Sequence, residues 1–129
     1  MKETNHQHAN TEPAALLRAY ADLFTKVPPP GPVLDLACGN GRNGIYLAML
    51  GLPVILCDVS EEALSRARAL AGFHGVSPRF MVLDLEKEGS VPLEETAYSG
   101  IIVFRYLHRP LVPVIRKAIR STGILIYET

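Results

Sequence analysis

The hydrophobic positions along this chain follow two different spacings. In three segments apolar residues recur every three or four positions, the period of a helix that buries one face. These residues are Leu16, Leu17, Tyr20, Leu23 and Phe24, then Ala63, Leu64, Ala67, Leu70 and Ala71, and finally Leu111, Val114, Ile115, Ala118 and Ile119. Nearly continuous apolar runs, without polar alternation, lie at residues 33–37, 53–58, 79–85, 100–104 and 124–127. Because such a run suits a strand covered on both faces, the pattern predicts five buried strands.

The predicted strands alternate with predicted helices, including a further helix over residues 42–50. This alternation is typical of an α/β fold with a doubly wound, Rossmann-like parallel sheet. We expect the strand order 3-2-1-4-5, with helices on both faces of the sheet. Residues 1–12 are expected to form a flexible tail, and residues 13–129 a single domain.

Capping residues and prolines predict where several helices begin and end. Thr11 is predicted to cap the first helix, with Pro13 in its first turn. The last helix is expected to start near Pro110 and to end at Gly123. The spacing of apolar residues is least regular between the third and fourth strands, where a short helix is predicted around residues 93–98.

Composition and charge narrow the class of protein. The 129 residues are enough for one domain with its own core, and no run approaches the roughly 20 apolar residues of a membrane span. Thirteen Lys and Arg balance thirteen Asp and Glu, which argues against a nucleic acid partner. The polar start has no apolar signal segment, so we expect a cytoplasmic protein. Its two cysteines, Cys38 and Cys57, are expected to be free thiols, with a reactive pair as the alternative.

A glycine-rich turn follows the first predicted strand. Residues 38–44 read CGNGRNG, which contains the G-x-G-x-x-G pattern of dinucleotide-binding proteins. Glycines let backbone N–H groups approach a ligand closely, beside a helix N-terminus that favours negative charge. Asp35 changes this interpretation, because a carboxylate inside an apolar strand needs a cation or hydrogen bonds to offset its burial. An ammonium group would be a better neighbour for it than a pyrophosphate.

Two further acids, Asp58 and Asp84, end the next two predicted strands. Asp58 is placed to accept hydrogen bonds from a ribose diol, and Asp84 from an adenine amino group. Ammonium, ribose and adenine together favour S-adenosylmethionine over NAD as the ligand. A structural alternative remains for each acid, since Asp35 could cap the glycine turn, Asp58 the next helix, and Asp84 an ordinary turn. An NAD-binding oxidoreductase would leave Asp35 and Asp84 without a role.

These motifs resemble those of a known superfamily. The runs VLDLACGNGRNGIYLA, CD at the second strand and LDL at the third are similar to motifs I to III of class I S-adenosylmethionine-dependent methyltransferases. The run GNGRNGIYLA is most similar to the tellurite-resistance-type branch. The resemblance covers residues 33–129 and implies S-adenosyl-L-methionine as cofactor, with S-adenosyl-L-homocysteine as product.

The resemblance also implies which residues bind the cofactor. Asp35 and the 37–41 turn would hold the methionine end, Asp58 the ribose hydroxyls, and Asp84 the adenine amino group. The full set of predicted cofactor-binding residues is Asp35, Ala37, Cys38, Gly39, Asn40, Gly41, Asn43, Asp58, Val59, Asp84, Leu85, Phe104 and Arg105.

The residues after the fourth strand are the candidates for acceptor chemistry. Arg105 could clamp an anionic acceptor, while Tyr106 and His108 are weak candidates for a catalytic base. His108 could equally cap the helix that starts near Pro110. No metal is expected, because His6 and His8 lie in a polar segment without nearby acids or thiols.

The family pattern usually continues past the fifth strand with a helix and an antiparallel hairpin, which we expect to be missing from this chain. We therefore expect the outer edge of the fifth strand to recruit a second copy or a partner chain. Two functions follow as hypotheses. One is methyl transfer to a small-molecule or oxyanion acceptor. The other is a non-catalytic S-adenosylmethionine-binding domain, or a partial domain that a partner completes.

Overall fold

A five-stranded sheet organises the computed structural model, which describes residues 11–26, 31–87 and 93–129. Its strands are β1 (Val33–Leu36), β2 (Val54–Asp58), β3 (Arg79–Val82), β4 (Tyr98–Phe104) and β5 (Ile119–Glu128). The helices are α1 (Ala15–Tyr20), α2 (Asp22–Lys26), α3 (Arg42–Met49), α4 (Glu61–Phe73) and α5 (Val112–Ala118), and a 3₁₀ turn at Arg109–Leu111 precedes α5.

The sheet has the order β3-β2-β1-β4-β5, and each neighbouring pair of strands is parallel. Val33 at the start of β1 lies opposite Val54 of β2 on one side and Gly100 of β4 on the other. All five strands therefore end at the same edge of the sheet. The predicted doubly wound fold and its strand order are confirmed.

Helices lie on both faces of the sheet, as predicted, but only the central strands β1, β2 and β4 are buried. The prediction of five buried strands is wrong for the edge strands β3 and β5, which are only partly covered. Alternate residues of β1 divide between the two faces, with Val33 on one and Leu34 and Leu36 on the other. The first face packs against α1 to α4 through Leu17, Phe24, Ile45, Leu47, Ala67 and Ala71. The second face packs against α5 and the chain after β3 through Leu83, Leu85, Leu111, Ile115 and Ala118.

The start of the first helix differs from the prediction. Ala14 precedes α1 in an extended conformation, so Thr11 is not its cap and Pro13 lies before the helix. The helical segment is also divided in two, because Ala21 separates α1 from α2. Both helices still bury their apolar face, since Leu17 of α1 and Phe24 of α2 are buried.

Part of the predicted tail lies outside the described residues, which begin at Thr11. Glu12 belongs to the predicted tail, yet its backbone carbonyl accepts a hydrogen bond of 2.8 Å from the Arg42 guanidinium. Its side chain also pairs with Arg18 at 3.1 Å. Glu12 therefore contacts both α1 and α3.

The third strand is shorter than predicted. β3 ends at Val82, and the chain then bends because the Asp84 carboxylate accepts a hydrogen bond of 2.9 Å from the Glu86 N–H. Val82 is 53% exposed, since β3 forms one edge of the sheet and is only partly covered. This early end releases residues 83–86 to line the edge of the sheet where a ligand would bind.

Two predictions in the second half of the chain are wrong. Residues 93–98 form no helix, because Thr96 lies in a turn with a φ of 51° and Tyr98 already begins β4. Gly123 does not end the last helix, which stops at Ala118. It lies within an irregular stretch of β5, where a Cβ would meet Ile119 Cγ1 at 2.6 Å. Gly123 therefore lies where the chain packs too closely for a side chain, and it does not mark a helix terminus.

Candidate functional site

The turn after β1 contains three residues with a left-handed backbone. Ala37, Gly39 and Gly41 have φ values of 54°, 58° and 85°. A Cβ at Gly41 would meet Leu56 Cδ2 at 2.7 Å, so that glycine is required for α3 to pack against the sheet. A Cβ at Gly39 would meet nothing within 4 Å. The backbone at Gly39 is therefore open to close approach, as the sequence predicted for this turn.

Asp58 fixes the position of this turn. One carboxylate oxygen accepts a hydrogen bond of 2.9 Å from the Gly39 N–H. The other oxygen accepts one of 2.9 Å from the Ser60 N–H, at the start of α4. Ser60 itself caps α4 by accepting a hydrogen bond of 3.1 Å from the Ala63 N–H. Asp58 thus caps the start of the glycine turn at Gly39, while the alternative of Asp35 as a cap is borne out at its last glycine, Gly44.

Asp35 lies on β1 beneath α3 and is 2% exposed. Its Oδ2 atom accepts a hydrogen bond of 2.9 Å from the Gly44 N–H in the first turn of α3. Burial raises the pKa of this carboxyl from 3.8 to about 7, with the Gly44 bond opposing the shift and nearby Asp58 adding to it. The observed partner of Asp35 is therefore a helix N–H, and the direct ammonium contact stays a prediction.

A cavity of about 220 Å³ opens at the carboxyl edge of the sheet, where β1, β2 and β3 end. The described residues that line it are Ala37, Asp58, Val59, Leu83, Asp84, Leu85, Glu86 and Tyr106. Three of these are carboxylates, and none of them is Lys, Arg or His. The rest of the lining is mostly apolar. This composition suits a neutral or cationic ligand with an apolar ring and hydrogen-bond donors.

Five of the predicted cofactor-binding residues meet in this cavity: Ala37, Asp58, Val59, Asp84 and Leu85. Val59 is 62% exposed, while Leu85 is buried and continues the apolar core beneath. Asp84 is exposed and uses one oxygen to accept from the Glu86 N–H. Asp84 is therefore a turn acid, as the structural alternative predicted, and it also lines the cavity.

Glu86 is a member of the cavity that the sequence reasoning missed. It follows Asp84 by two residues, and its carboxylate accepts a hydrogen bond of 2.8 Å from the Tyr106 hydroxyl. Burial, and then the Glu86 carboxylate, raise the pKa of the Tyr106 phenol above its ordinary value. A phenol that holds its proton this tightly is a poor catalytic base at neutral pH.

The other candidates after β4 lie outside the described lining of this cavity. Phe104 is buried in the core, and Arg105 is exposed with a left-handed φ of 56°. The Arg105 N–H donates a hydrogen bond of 2.8 Å to the Glu128 carbonyl, which ties the end of β4 to β5. His108 precedes the 3₁₀ turn but its side chain makes no capping bond, so the capping alternative is wrong. Its role as a base stays a prediction.

Asn40 and Asn43 have structural partners. The Asn40 side-chain oxygen accepts a hydrogen bond of 3.2 Å from the Arg42 N–H. Asn43 is buried, and its oxygen accepts one of 2.8 Å from the Ala14 N–H, which fixes the start of α1 on α3. The structure thus gives Asn43 an anchoring role, and its predicted contact with the cofactor stays a prediction.

Both cysteines are free, as predicted. The Cys38 N–H donates a hydrogen bond of 2.9 Å to the Cys57 carbonyl, which places the two residues on adjacent parts of the sheet edge. Burial raises the pKa of both thiols, that of Cys57 to about 12. Because the thiolate is the reactive form, these pKa shifts disfavour the alternative of a reactive pair.

Within residues 11–26, 31–87 and 93–129, no group of three or more His, Cys, Asp or Glu side chains could hold a metal ion. His6 and His8 lie outside the described residues. Over the same part of the chain, every helix is too short or too polar to cross a membrane.

Comparison with known proteins identifies the family. Residues 33–123 match the family described as "Methyltransferase domain", which covers β1 to the irregular part of β5. The chain belongs to this methyltransferase family. The predicted membership of the class I superfamily is confirmed, and the chain is similar to the tellurite-resistance-type branch.

Individual proteins resemble the chain over most of its length. It is 28% identical over 96 residues, 74% of this chain, to the probable S-adenosyl-L-methionine-dependent methyltransferase TehB of Haemophilus influenzae. The crystal structure of the PH0226 protein from Pyrococcus horikoshii OT3 aligns with a TM-score of 0.72 and 25% identity, covering 95% of this chain and 53% of that one.

A third relative is described with a ligand. The tRNA (uracil-54, C5)-methyltransferase of Pyrococcus abyssi, in complex with S-adenosyl-L-homocysteine, aligns with a TM-score of 0.66 and 29% identity. The alignment covers 87% of this chain and 26% of that one. The chain likewise spans only 33% of the length of TehB. Activity, acceptor and partners of the longer relatives therefore remain matters for proposal.

Proposed function

We propose that this methyltransferase domain binds S-adenosyl-L-methionine and transfers its methyl group to a small-molecule or oxyanion acceptor. The observation that carries the proposal is the acid-lined cavity at the carboxyl edge of the sheet. Asp58, Asp84 and Glu86 supply acceptors there, and no cation is found among the described lining residues. A nucleotide phosphate would face three carboxylates, which makes NAD a poor ligand for this cavity.

The cavity fits an adenosyl group by the chemistry of its donors and acceptors. Asp58 has both oxygens directed by backbone N–H groups, and its remaining lone pairs can accept from a ribose diol. Asp84 can accept from the adenine amino group, and Val59 and Leu85 offer apolar contact to the ring. The Pyrococcus abyssi relative with bound S-adenosyl-L-homocysteine supports this choice of ligand.

The glycine turn and Asp35 would hold the other end of the cofactor. The bound cofactor supplies an electrophilic methyl group on its sulfonium, so that the protein's task is to position the acceptor and exclude water. The open backbone at Gly39 allows close approach, while the Asp35–Gly44 bond fixes the first turn of α3 beside it. An ionised Asp35 carboxylate adds negative potential that favours a cationic ligand.

An anionic acceptor is supported by the charges around the end of β4. Residues 98–127 contain no Asp or Glu, although the whole chain has thirteen acids. Within that segment Arg105 and Arg109 are exposed and follow β4 directly, at the edge where the cavity opens. A guanidinium at this place can bind an oxyanion and hold it near the methyl group. A nucleic acid is the alternative anionic acceptor, as in the tRNA methyltransferase relative.

A base is required only for some acceptors. An oxyanion or a thiolate attacks a sulfonium methyl group without help, whereas an alcohol or amine needs its proton removed. Tyr106 is unsuited to this task because its pKa is raised. His108 is therefore the remaining candidate near the end of β4, should the acceptor carry a proton.

The second candidate function is a cofactor-binding domain that a partner completes. β5 ends the sheet, and no described strand pairs with its outer side. We propose that a second copy or a partner chain covers this edge.

The cytoplasmic location of the protein stays a prediction from the sequence.

Calorimetry with S-adenosyl-L-homocysteine tests the proposal directly. We expect saturable binding by the chain, with AMP and NAD at least tenfold weaker because of the three carboxylates. Asp58→Asn and Asp84→Asn should each weaken binding by about tenfold, as expected for a lost charge-assisted hydrogen bond. The matched control is Asp22→Asn on α2, outside the described cavity lining, which should leave the affinity unchanged.

Failure of S-adenosyl-L-homocysteine to bind at millimolar concentration would overturn the proposed cofactor. Displacement of bound S-adenosyl-L-homocysteine by NAD would instead favour the oxidoreductase hypothesis. Methyl transfer is tested separately, by mass spectrometry of selenite or tellurite incubated with the chain and methyl-labelled S-adenosyl-L-methionine. Binding without transfer would support the partner-completed domain over the enzyme.

A further inference from the structure

A side-chain hydrogen bond joins the ends of β3 and β4. The Tyr106 hydroxyl donates to the Glu86 carboxylate with an O–O distance of 2.8 Å. Glu86 follows β3 and Tyr106 follows β4, while β2 and β1 lie between those strands in the sheet. The bond therefore passes over the carboxyl ends of the two central strands.

The same bond lies across the cofactor cavity. Glu86 and Tyr106 both line it, together with Ala37 after β1 and Asp58 at the end of β2. With the bond formed, the cavity measures about 220 Å³. Sites that enclose a small ligand usually measure about 300–1,000 Å³. The cavity with the bond formed is therefore smaller than a typical site for a ligand of this kind.

We propose that Tyr106 and Glu86 form a latch over the cofactor cavity, which must open before an adenosyl ligand can enter. This inference rests on the proposed function, since it takes S-adenosyl-L-methionine as the ligand. Tyr106 is half-buried and packs against the core beside Tyr127, whereas Glu86 is exposed on the loop after β3. Glu86 is thus the side that moves, and Tyr106 the fixed side.

The Tyr106 phenol is suited to remain the donor. Burial, and then the Glu86 carboxylate, raise its pKa above the ordinary value, so that it keeps its proton across the physiological range. A ligand that must first break this bond binds with an affinity reduced by the fraction of open protein. Because Glu86 is exposed to water, the bond is assigned the net strength of an ordinary hydrogen bond, and the reduction is about three- to tenfold.

Tyr106→Phe tests the latch because it removes the hydroxyl and keeps the ring in the core. We expect this variant to bind S-adenosyl-L-homocysteine about three- to tenfold more tightly than the wild type, mostly through faster association in stopped-flow measurements. Tyr46→Phe is the matched control. Tyr46 lies on α3, outside the described cavity lining, with the Arg18 guanidinium 5.9 Å from its ring centroid.

Glu86→Ala removes the other half of the latch. If the two residues act through one bond, the double variant should bind no more tightly than the tighter single variant. Hydrogen exchange without ligand gives a second readout. Peptides covering residues 83–87 and 105–108 should exchange faster in Tyr106→Phe than in the wild type or the Tyr46→Phe control.

The outcomes separate the latch from the proposed cofactor. Unchanged or weaker binding by Tyr106→Phe would overturn the latch, and weaker binding would make the hydroxyl a ligand contact. Equal hydrogen exchange in Tyr106→Phe and the wild type would likewise show that the bond does not hold the two segments together. If neither the wild type nor Tyr106→Phe binds S-adenosyl-L-homocysteine, the proposed function and the latch fall together.

Discussion

The Asp35 carboxylate and the Gly44 backbone form a buried pair beneath the glycine turn. The Gly44 N–H donates to Asp35 Oδ2 at 2.9 Å, and a Cβ at Gly44 would meet that same oxygen at 2.8 Å. Glycine is therefore required at position 44 because the acid lies directly against the helix backbone. The last glycine of the G-x-G-x-x-G pattern is explained by its contact with Asp35.

This relationship predicts that Gly44→Ala destabilises the domain. The added methyl group would also meet Asp35 Cβ and Leu56 Cγ at 3.1 Å, so that strand and helix must move apart. We expect the free energy of unfolding to fall by about 1–3 kcal/mol. Gly72→Ala in α4 is the control, since its Cβ meets nothing within 4 Å and alanine favours a helix. Urea denaturation showing equal effects for the two variants would contradict the explanation.

Asp35 also predicts a pH dependence of stability. Its carboxyl titrates near 3.8 when unfolded and at about 7 when folded, with burial as the main cause. Because the folded state binds the proton more tightly, ionisation of Asp35 costs stability as the pH rises from about 4 to 7. Above pH 7 the cost reaches as much as about 4 kcal/mol and then stays constant.

Asp35→Asn should remove this cost, since an amide oxygen can still accept from the Gly44 N–H. The variant should be more stable than the wild type at pH 8, and its advantage should shrink as the pH falls towards 5. Thermal unfolding between pH 5 and 8 measures the difference. The same variant should bind S-adenosyl-L-methionine more weakly at pH 8, because the negative potential is lost. A stability difference that does not change with pH would show that Asp35 titrates normally.

Variants of Asn43 test whether this residue anchors α1 or contacts the ligand. Asn43→Ala would leave the Ala14 N–H without its acceptor, at a cost of about 1–3 kcal/mol of folding free energy. Asn43→Asp keeps an acceptor oxygen and should recover part of that stability. If Asn43 only anchors α1, neither variant should change S-adenosyl-L-homocysteine affinity by more than about twofold in calorimetry at a temperature where both are folded. A larger loss in both would restore the predicted cofactor contact.

The fold and the centre of the site could be predicted because their signals are local. Nearly continuous apolar runs fixed the strands, and the acids that follow them, Asp58 and Asp84, meet in the cavity because parallel strands end at one edge. The strand order followed from right-handed crossovers and the reversal in strand order of a doubly wound sheet. No long-range information was needed for these steps.

The errors arose where distant residues decide the structure. Gly123 looks like a helix end, but its environment is set by Ile119 and Ser99, on β5 and β4. From the sequence, Asn43 belongs to the turn that binds the ligand. In the structure its side chain instead accepts a hydrogen bond from Ala14, which is 29 residues away in the sequence. Glu86 gave no signal because its partner, Tyr106, lies 20 residues further along the chain.

The outer edge of β5 carries the last prediction. This strand has ten residues, pairs with β4 on one side, and exposes 46% of Leu125. A long edge strand with an exposed apolar residue tends to pair with another strand. We expect light scattering to show concentration-dependent self-association of this chain. Leu125→Lys should suppress it, because a lysine on an edge strand disfavours pairing.

The matched control for the edge is Leu23→Lys, because Leu23 is 41% exposed but lies on helix α2 and not on an edge strand. It lowers surface hydrophobicity to a similar degree without changing the edge, so self-association should persist. A wild type that stays monomeric at high concentration would contradict the edge proposal for a second copy. Equal suppression by both variants would show that association follows general surface hydrophobicity and not strand pairing at β5.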